Sequence, residues 1–428
     1  MGALVFPKLN LKASQSGTHF SYFCSVNTYD VLIVGGGAAG FFAAINTATH
    51  NPDLKIAILE RGSNVLSKVK ISGGGRCNVT HAEFIPDDLV LNYPRGEKEL
   101  RGPFHTYMTG DTMQWFEDRG VSLKIEEDGR VFPVSNSSQT IIDCFLEEIK
   151  TRQIEVLLNH SVQGIKHEND TWKLDTTKGV FRTPKLLIAT GSNPKIWKLL
   201  ESLGHQLIAP VPSLFTFNIK DKRLKTIPGV VATDVHISVV NSTLESEGPL
   251  LVTHTGLSAP SILKLSAYGA LELAERQYKF QIKVNFIKLD LSDCLESLLE
   301  FKTEFPKKTI LKSTQFDLPK RLWEQLVIAS GIPTDLRWAE VNKQQLQKIA
   351  SQLTEAVFNV DGKSTFKEEF VTAGGVELKG VNFKTFESKH FKNLYFAGEV
   401  LNIDAVTGGF NFQNAWTSAF IAAQQLSK

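Results

Sequence analysis

Paired cysteines are missing from this chain. Its 428 residues include four cysteines, at positions 24, 77, 144 and 294, and no two of them form a C-x-x-C pair. Zinc sites and dithiol redox centres are built on closely spaced thiols, so neither is predicted. A disulfide framework is also not indicated, and no metal is expected. Isolated thiols fit a reducing compartment, and we therefore predict a cytoplasmic location.

The sequence also lacks a surplus of charge and any long apolar run. The formal net charge is +2 at pH 7, which gives no overall field favouring nucleic acid or an anionic membrane. No apolar stretch approaches the length needed to cross a bilayer. We therefore expect a small-molecule substrate, no nucleic-acid partner and no membrane partner. Residues 1–28 make a poor secretory signal and are predicted to be a weakly ordered extension.

Nucleotide chemistry is indicated by the stretch from Tyr29 to Arg61. A β-branched run leads into Gly35, Gly37 and Gly40, which have G-x-G-x-x-G spacing. In this arrangement the glycines allow a tight turn, close approach to a pyrophosphate, and close packing of helix on strand. Glu60 ends a second predicted strand, where a carboxylate can bind a ribose. The stretch predicts a dinucleotide-binding unit.

A second glycine run, Gly73 to Gly75, follows in the segment GSNVLSKVKISGGGRCNVTH. We interpret the whole segment as a loop, because three glycines cannot form a helix interior or an ordinary strand. Lys68, Lys70, Ser72 and Arg76 surround the glycines with positive charge and hydroxyl donors. Bare amides beside positive charge suit phosphate or flavin oxygens. A flexible surface loop is the simpler alternative.

The pattern E-R-x-x-x-x-L-S-K-x-x-x-S-G-G-G-R-C-N-x-T, which begins at Glu60, resembles the signature of the BaiN/YhiN-type flavoproteins. These are FAD-dependent oxidoreductases with a glutathione-reductase-like flavin fold. The resemblance extends from Tyr29 to the C-terminus. It implies that Val162 brackets the adenine and that the turn at Thr190 and Gly191 closes the first half of the nucleotide domain. It also implies that Cys77 is a structural cysteine and not a redox thiol.

A second phosphate-cradle pattern runs from Leu394 to Ala423, more than 330 residues after the first. Glu399 and Asp404 follow a predicted buried strand and are candidates for ribityl contacts. Gly408 and Gly409 precede a final helix whose N-terminus would favour the negative charge of a reduced flavin. The chain has Asn402 where an aspartate is common in the family.

Between the two halves, strand-rich and helical segments predict an inserted domain. Helical spacing is seen, for example, at Gln344 to Phe358. The predicted fold is α/β, a discontinuous Rossmann-like FAD-binding domain with an inserted β-barrel-like plus helical domain. Its limits are predicted at 29–205, 206–369 and 370–428, after the extension 1–28. THTGLSAP resembles a family motif, with Ala259 in place of the usual glycine. His254 in this motif is the one candidate catalytic residue.

The resemblance implies FAD-dependent reduction of an activated double bond in a small hydrophobic substrate. NADH or NADPH is expected to be a transient co-substrate, because no second G-x-G-x-x-G is present. Alternatives are an oxidase passing electrons from an amine to oxygen, and a flavin-bearing binding or RNA-associated protein. The predicted cofactor contacts are Gly35, Gly37, Ala38, Ala39, Gly40, Glu60, Arg61, Lys68, Ser72, Gly73, Gly74, Gly75, Arg76, Cys77, Asn78, Val162, Thr190, Gly191, Gly398, Glu399, Asp404, Gly408, Gly409, Phe410 and Asn411.

Overall fold

The computed structural model describes residues 27–364 and 371–428. Most of the predicted N-terminal extension, residues 1–26, lies outside this range. Asn27 and Thr28 form a short strand that pairs in parallel with Phe181 and Arg182. Within the described residues, regular structure is therefore present from Asn27, two residues before Tyr29.

The strands alternate between short parallel segments and antiparallel hairpins. In chain order they are β1 (Asn27–Thr28), β2 (Val31–Val34), β3 (Ile56–Leu59), β4 (Thr80–His81), β5 (Leu123–Ile125), β6 (Arg130–Pro133), β7 (Glu155–Leu157), β8 (Val162–Glu168), β9 (Thr171–Thr176), β10 (Gly179–Thr183), β11 (Lys185–Ile188), β12 (Leu207–Ser213), β13 (Thr216–Asn218), β14 (Val231–Val239), β15 (Glu245–Val252), β16 (Gly256–Ser258), β17 (Lys279–Asn285), β18 (Ala356–Asp361), β19 (Lys363–Ser364), β20 (Val371–Val376), β21 (Val381–Asn382), β22 (Glu387–Ser388) and β23 (Leu394–Phe396).

The α-helices are α1 (Ala38–His50), α2 (Ser67–Gly75), α3 (Pro86–Val90), α4 (Glu97–Phe104), α5 (Thr109–Glu117), α6 (Ser138–Thr151), α7 (Pro194–Ser202), α8 (Lys222–Lys225), α9 (Pro260–Tyr268), α10 (Ala270–Glu275), α11 (Leu291–Glu304), α12 (Lys320–Ala329), α13 (Lys343–Thr354) and α14 (Phe410–Leu426). Short 3-10 turns cover Trp338–Glu340, Leu378–Gly380 and Gly398–Val400. In the described part of the chain, every helix is too short or too polar to cross a membrane.

A parallel sheet in the order β23-β11-β2-β3-β7, extended at one edge by β22 and β21, forms the centre of the nucleotide-binding half. β2, the first of these strands in the chain, is the middle of the five and is completely buried. Such burial on both faces requires helices on both sides, and the apolar run VLIV meets that requirement. α1 packs against α14, the last helix of the chain, so the two ends of the sequence build one unit.

The inserted region contains an antiparallel sheet in the order β18-β17-β14-β15-β16-β13-β19. β18 and β19 are consecutive pieces of one segment, separated only by Gly362, whose φ is +98°. The first and last positions of the sheet therefore belong to the same bent strand, and the sheet closes on itself. This closure confirms the expectation of a barrel-like insertion. It also removes the exposed edges that an open sheet would leave.

Two separate sets of buried side chains form the interior. One set lies between Tyr29 and Leu200 and again between Val376 and Leu426, and the other lies between Phe215 and Val360. The two strands that connect them, β12 and β20, pair with each other in antiparallel orientation. The chain thus enters and leaves the inserted region side by side.

Two local predictions need correction. The segment before the glycine run is not a loop throughout, because a helix begins at Ser67. The predicted helix Gln344 to Phe358 ends at Thr354, and its last residues belong to β18. Val357 and Phe358 are β-branched or aromatic and alternate between exposed and buried, which favours a strand.

Candidate functional site

The first glycine turn is shaped by contacts that leave no room for side chains at two of its positions. A Cβ on Gly35 would lie 2.3 Å from the Ala189 carbonyl oxygen, and one on Gly40 would lie 2.0 Å from the Gly35 carbonyl oxygen. Around Gly37, in contrast, nothing lies within 4 Å of an added Cβ. The turn is therefore closely packed at Gly35 and Gly40, whereas the space beside Gly37 is open. A ligand could approach the backbone there.

Glu60 closes one side of this turn. Its carboxylate accepts hydrogen bonds from the backbone N–H of Gly36 at 2.8 Å and of Gly62 at 2.7 Å. These two donors hold the carboxylate at the carboxyl end of β3, directly beside the glycines. Such a fixed acceptor has the position required for ribose hydroxyls.

A cleft lies at this end of the parallel sheet. Predicted residues Gly35, Glu60, Arg61, Val162 and Thr190 all line it. Sequence reasoning did not assign the other lining residues to the site; these are Val34, Leu59, His160, Ser161, Asn193, Lys195 and Ile196. Asn193 could have been found, since Asn followed by Pro at the start of a helical pattern predicts an N-cap. Its side chain accepts a hydrogen bond from the Lys195 N–H.

In the second glycine run, Gly74 and Gly75 have φ of +67° and +83°, and no atom lies within 4 Å of an added Cβ at either. Gly73 differs, because its added Cβ would lie 3.0 Å from both Asn78 N and Phe132 Cε1. Two of the three glycines therefore expose bare backbone to open space. Left-handed conformations in sequence turn successive N–H groups toward one side, which favours anions.

Lys68 connects the second glycine run to the C-terminal phosphate-cradle segment. Its Nζ lies 2.5 Å from Glu399 Oε2, although 331 residues separate the two in sequence. Glu399 Oε1 also accepts a hydrogen bond from the Thr372 N–H at 3.3 Å, and an added Cβ on Gly191 would lie 3.3 Å from Oε2. The structure thus brings the segments around Lys68, Gly191 and Glu399 together at one place.

Arg76 has a different environment from the one its glycine context indicates. Its Nη1 donates to Glu126 Oε1 at 2.7 Å, and its guanidinium lies 3.9 Å from the centre of the Phe132 ring. Two protein groups therefore already hold this side chain. Its assignment as a phosphate ligand stays a prediction.

Cys77 is completely buried, and this burial raises the pKa of its thiol to about 12. A thiol with so high a pKa is almost entirely protonated at neutral pH and is a poor nucleophile. The interpretation of Cys77 as a structural residue agrees with this environment. The neighbouring Asn78 is also buried, and its Oδ1 has no hydrogen-bond partner in the described part of the chain.

Asp404 is fully buried in an ion pair. Arg95 donates to both of its carboxylate oxygens, and Ser213 Oγ donates to Oδ2 at 2.8 Å. Arg95 also donates to the Ala267 carbonyl at 2.8 Å. Because protein donors occupy both oxygens, Asp404 ties the C-terminal loop to the inserted region. In the predicted flavin contact, a ribityl hydroxyl would have to donate to carboxylate oxygens that already accept from Arg95 and Ser213.

The C-terminal glycines are fixed by close packing. An added Cβ on Gly409 would lie 2.5 Å from the Thr80 carbonyl oxygen, and one on Gly408 would lie 2.7 Å from the Phe410 ring. Asn411 stabilises the preceding loop, since its side chain both accepts from the Ala405 N–H and donates to the Ala405 carbonyl. The loop between Gly398 and α14 is therefore rigidly positioned, as a binding loop requires.

His254 lies on the exposed turn between β15 and β16, and its side chain makes no hydrogen bond with the described residues. The structure therefore gives it no fixed orientation, and its catalytic role stays a prediction. No group of three or more His, Cys, Asp or Glu side chains that could hold a metal is found within residues 27–364 and 371–428.

Comparison with known proteins identifies the family. The model of the HI0933-like protein Rossmann domain matches residues 29–425. The chain belongs to this family. It is an FAD-dependent oxidoreductase with a Rossmann-like FAD-binding domain.

Three similar proteins illustrate the range of the family and its fold. The chain is 28% identical over 410 residues to ribosomal RNA dihydrouridine synthase of Escherichia coli, covering 93% of this chain and 98% of the relative. It is 24% identical over 404 residues to 3-dehydro-bile acid delta(4,6)-reductase of Clostridium scindens, covering 92% and 97%. Quinol-fumarate reductase with menaquinol molecules has a TM-score of 0.50 at 14% identity, covering 94% of this chain and 71% of that one, and this likeness shows the fold alone.

The HI0933-like chain has the features that FAD would need. Gly37, Gly74 and Gly75 leave space where phosphate or flavin oxygens could approach bare amides. Thr190 Oγ1 and Thr372 Oγ1, which flank the Lys68–Glu399 pair, are buried without a hydrogen-bond partner in the described part. Buried hydroxyls are rarely unsatisfied in native proteins, so these two are candidates for ligand contacts. The cleft, the open space beside these glycines and the two hydroxyls without partners are features that a dinucleotide would use.

Proposed function

We propose that this protein reduces a carbon-carbon double bond conjugated to a carbonyl group, using FAD. The observation that carries the proposal is the pair of relatives that match almost their whole length. Forming dihydrouridine saturates the C5–C6 bond of uracil, which is conjugated to the C4 carbonyl. A delta(4,6)-reductase saturates double bonds that a 3-oxo group activates. The substrates differ, but the reacting group is the same.

The overall reaction consumes one reduced nicotinamide, NADH or NADPH, and one proton. It adds a hydride to the carbon remote from the carbonyl and a proton to the carbon next to it. FAD, when bound, supplies the hydride chemistry. The residues of this chain would position the cofactor and exclude water. A carbonyl-conjugated bond accepts hydride because the resulting negative charge spreads onto oxygen.

The cofactor would be held from both ends of the sequence. Glu60 and the cleft around Val162 would receive the adenosine, and the amide of Gly37 would meet the pyrophosphate. Lys68, Glu399 and the two free threonine hydroxyls would lie along the ribityl chain. Gly74 and Gly75 would face the flavin side. Because Lys68 and Glu399 neutralise each other, that part of the site favours neutral, hydroxyl-bearing groups.

Anaerobic rapid mixing tests the proposal. The FAD-loaded protein is mixed with NADH or NADPH, and the flavin absorbance is followed. We expect rapid bleaching, then recovery of colour when 2-cyclohexen-1-one or a uridine-containing RNA is added. Saturated cyclohexanone is the matched control and should not restore the colour.

An oxidase would give the opposite pattern. A primary amine would bleach the flavin, a reduced nicotinamide would not, and only oxygen would restore the colour. That result would overturn the reductase proposal.

A further inference from the structure

One part of the inserted region carries a concentration of positive charge that the net charge of +2 hides. The segment from Lys220 to Thr226 contains four basic residues and one acidic residue, and the segment from Phe305 to Gln325 contains five basic and two acidic residues. Eight of these cations are exposed and define what we call the basic face: Lys220, Lys222, Lys225, Lys307, Lys308, Lys312, Lys320 and Arg321.

Three other exposed lysines of the inserted region have carboxylate partners, whereas the cations of the basic face have none among the described residues. Lys279 pairs with Asp361, Lys283 with Glu355, and Lys288 with both Asp234 and Glu247. No residue of the basic face forms an ion pair with any described carboxylate. Asp221 lies within the face but pairs with Arg223, and Asp317 and Glu324 are the other acids in these segments.

Hydrogen bonds bring the separate segments of the basic face together. Arg321 Nη2 donates to the Thr226 carbonyl at 2.5 Å, which holds the start of α12 against the end of α8. Trp323 Nε1 donates to the Ile310 carbonyl at 2.9 Å, which holds α12 against the loop that carries Lys307, Lys308 and Lys312. These three elements therefore pack against one another, which brings their exposed cations into one region of the surface.

This surface adjoins the turn that carries His254. At one end of the α8 segment, the Ile219 N–H donates to the Thr255 carbonyl at 2.9 Å, and at the other the Gly229 N–H donates to the Val252 carbonyl at 2.8 Å. Ser213, six residues before Ile219, contacts Asp404 in the C-terminal loop. A fully extended chain spans at most about 3.6 Å per residue, so roughly 22 Å separates these two contacts at most. The segment that leads into the basic face is thus tied both to the turn that carries His254 and to the C-terminal loop of the candidate site.

We propose that the basic face binds the phosphates of an RNA strand and directs one of its uracil bases to the site. This proposal rests on the proposed function, because uracil contains the conjugated double bond. Unpaired lysines and arginines on one surface are the electrostatic footprint of nucleic-acid binding. An anionic membrane is the less suitable partner, since none of the exposed large apolar side chains lies between Ile219 and Thr226 or between Phe305 and Arg321.

The test compares two triple variants of the full-length, FAD-loaded protein. K307Q/K308Q/K312Q removes three cations of the basic face, and K279Q/K283Q/K288Q removes three paired lysines of the same region. Fluorescence anisotropy measures binding of a labelled uridine-containing RNA hairpin over a salt series. We expect the first variant to bind about tenfold more weakly, with a log-log salt slope smaller by about 2 to 3. The second variant should bind like the wild type.

Equal losses in both variants, or no loss in the first, would overturn the proposal. Tighter binding to phosphatidylserine vesicles than to RNA would also overturn it and point to a membrane partner. Reduction of 2-cyclohexen-1-one separates this inference from the proposed function. Both variants should turn over that small substrate at the wild-type rate, so a chain that binds RNA but never reduces the enone contradicts only the proposed function.

Discussion

Ala259 occupies a backbone conformation that L-amino acids rarely adopt. Its φ is +86° and its ψ is 174°, at the position immediately before α9. This region is essentially restricted to glycine and costs other residues on the order of 1–3 kcal/mol. The family that the sequence resembles usually has glycine at this position.

We therefore expect Ala259→Gly to stabilise the protein by about 1 kcal/mol, after the extra chain entropy of glycine is deducted. Urea unfolding of the two proteins measures the difference. Ala329→Gly is the control. Ala329 is exposed in the last turn of α12, so this change should instead lower the free energy of unfolding by about 0.5–1 kcal/mol. If both changes destabilise, Ala259 is not strained.

His205 makes the stability depend on pH. It is 2% exposed, and burial, together with the neighbouring His390, lowers its pKa from 6.5 to about 4. Between these values the unfolded state binds a proton that the folded state does not. The free energy of unfolding should therefore fall as the pH falls from about 6.5 to about 4, by up to about 3 kcal/mol from this group.

The variant His205→Gln should have a flatter dependence over the same window. Denaturant unfolding at several pH values between 4 and 7 measures it, as the difference from the wild type. Identical slopes in the two proteins would show that His205 does not titrate in this way.

At the scale of elements, the strand-glycine-helix unit makes a sharp prediction about two neighbouring glycines. Gly40→Ala would place a Cβ 2.0 Å from a backbone oxygen and should prevent folding, whereas Gly37→Ala meets no atom within 4 Å. The Gly37 variant should melt at the wild-type temperature without cofactor, yet bind FAD at least tenfold more weakly, because its methyl group takes the space of the pyrophosphate. Equilibrium titration with FAD and thermal unfolding measure the two effects. Wild-type affinity in Gly37→Ala would place the pyrophosphate elsewhere.

Elements with a strong local pattern could be predicted from the sequence. β2, α1 and β3 follow from a buried apolar run, three glycines and a terminal acid, and the structure has them at the expected positions. Val357 and Phe358 were assigned to the wrong element because a short apolar run suits a helix end and a strand equally well. Pairing with β17 decides between them, and such long-range pairing is not encoded locally.

The site was predictable only where a backbone pattern defines it. The glycine spacing predicts a close approach of backbone to ligand, whereas no sequence pattern predicts which side chains contact each other. Arg95 and Asp404 are 309 residues apart, and neither position has a sequence pattern that indicates their ion pair. Arg76 similarly finds Glu126 and Phe132, which only the folded chain brings near.

At the scale of the whole molecule, the average charge is a poor guide to partners. Its value of +2 reflects paired lysines on some surfaces and unpaired lysines on another. Screening limits the reach of each charge to about 8–10 Å at physiological salt, so a partner responds to the local face and not to the sum. The expectation that nucleic acid is not a partner rested on that sum.

The pairing of β12 with β20 makes the inserted region removable in principle. Ser213 lies directly opposite Val371 in this antiparallel pair, so residues 214–370 could be replaced by Asn-Gly, which favours a two-residue hairpin turn. The remaining chain keeps its own buried core and the contact of Ser213 with the Arg95–Asp404 pair.

We expect the shortened protein to fold and to bind FAD within about tenfold of the wild type, since the predicted cofactor residues all remain. It should bind no RNA and reduce no substrate. Circular dichroism, FAD titration and RNA anisotropy measure these properties, and Gly37→Ala in the same shortened chain is the control that should lose FAD. A folded shortened protein without FAD affinity would mean that the inserted region completes the cofactor site.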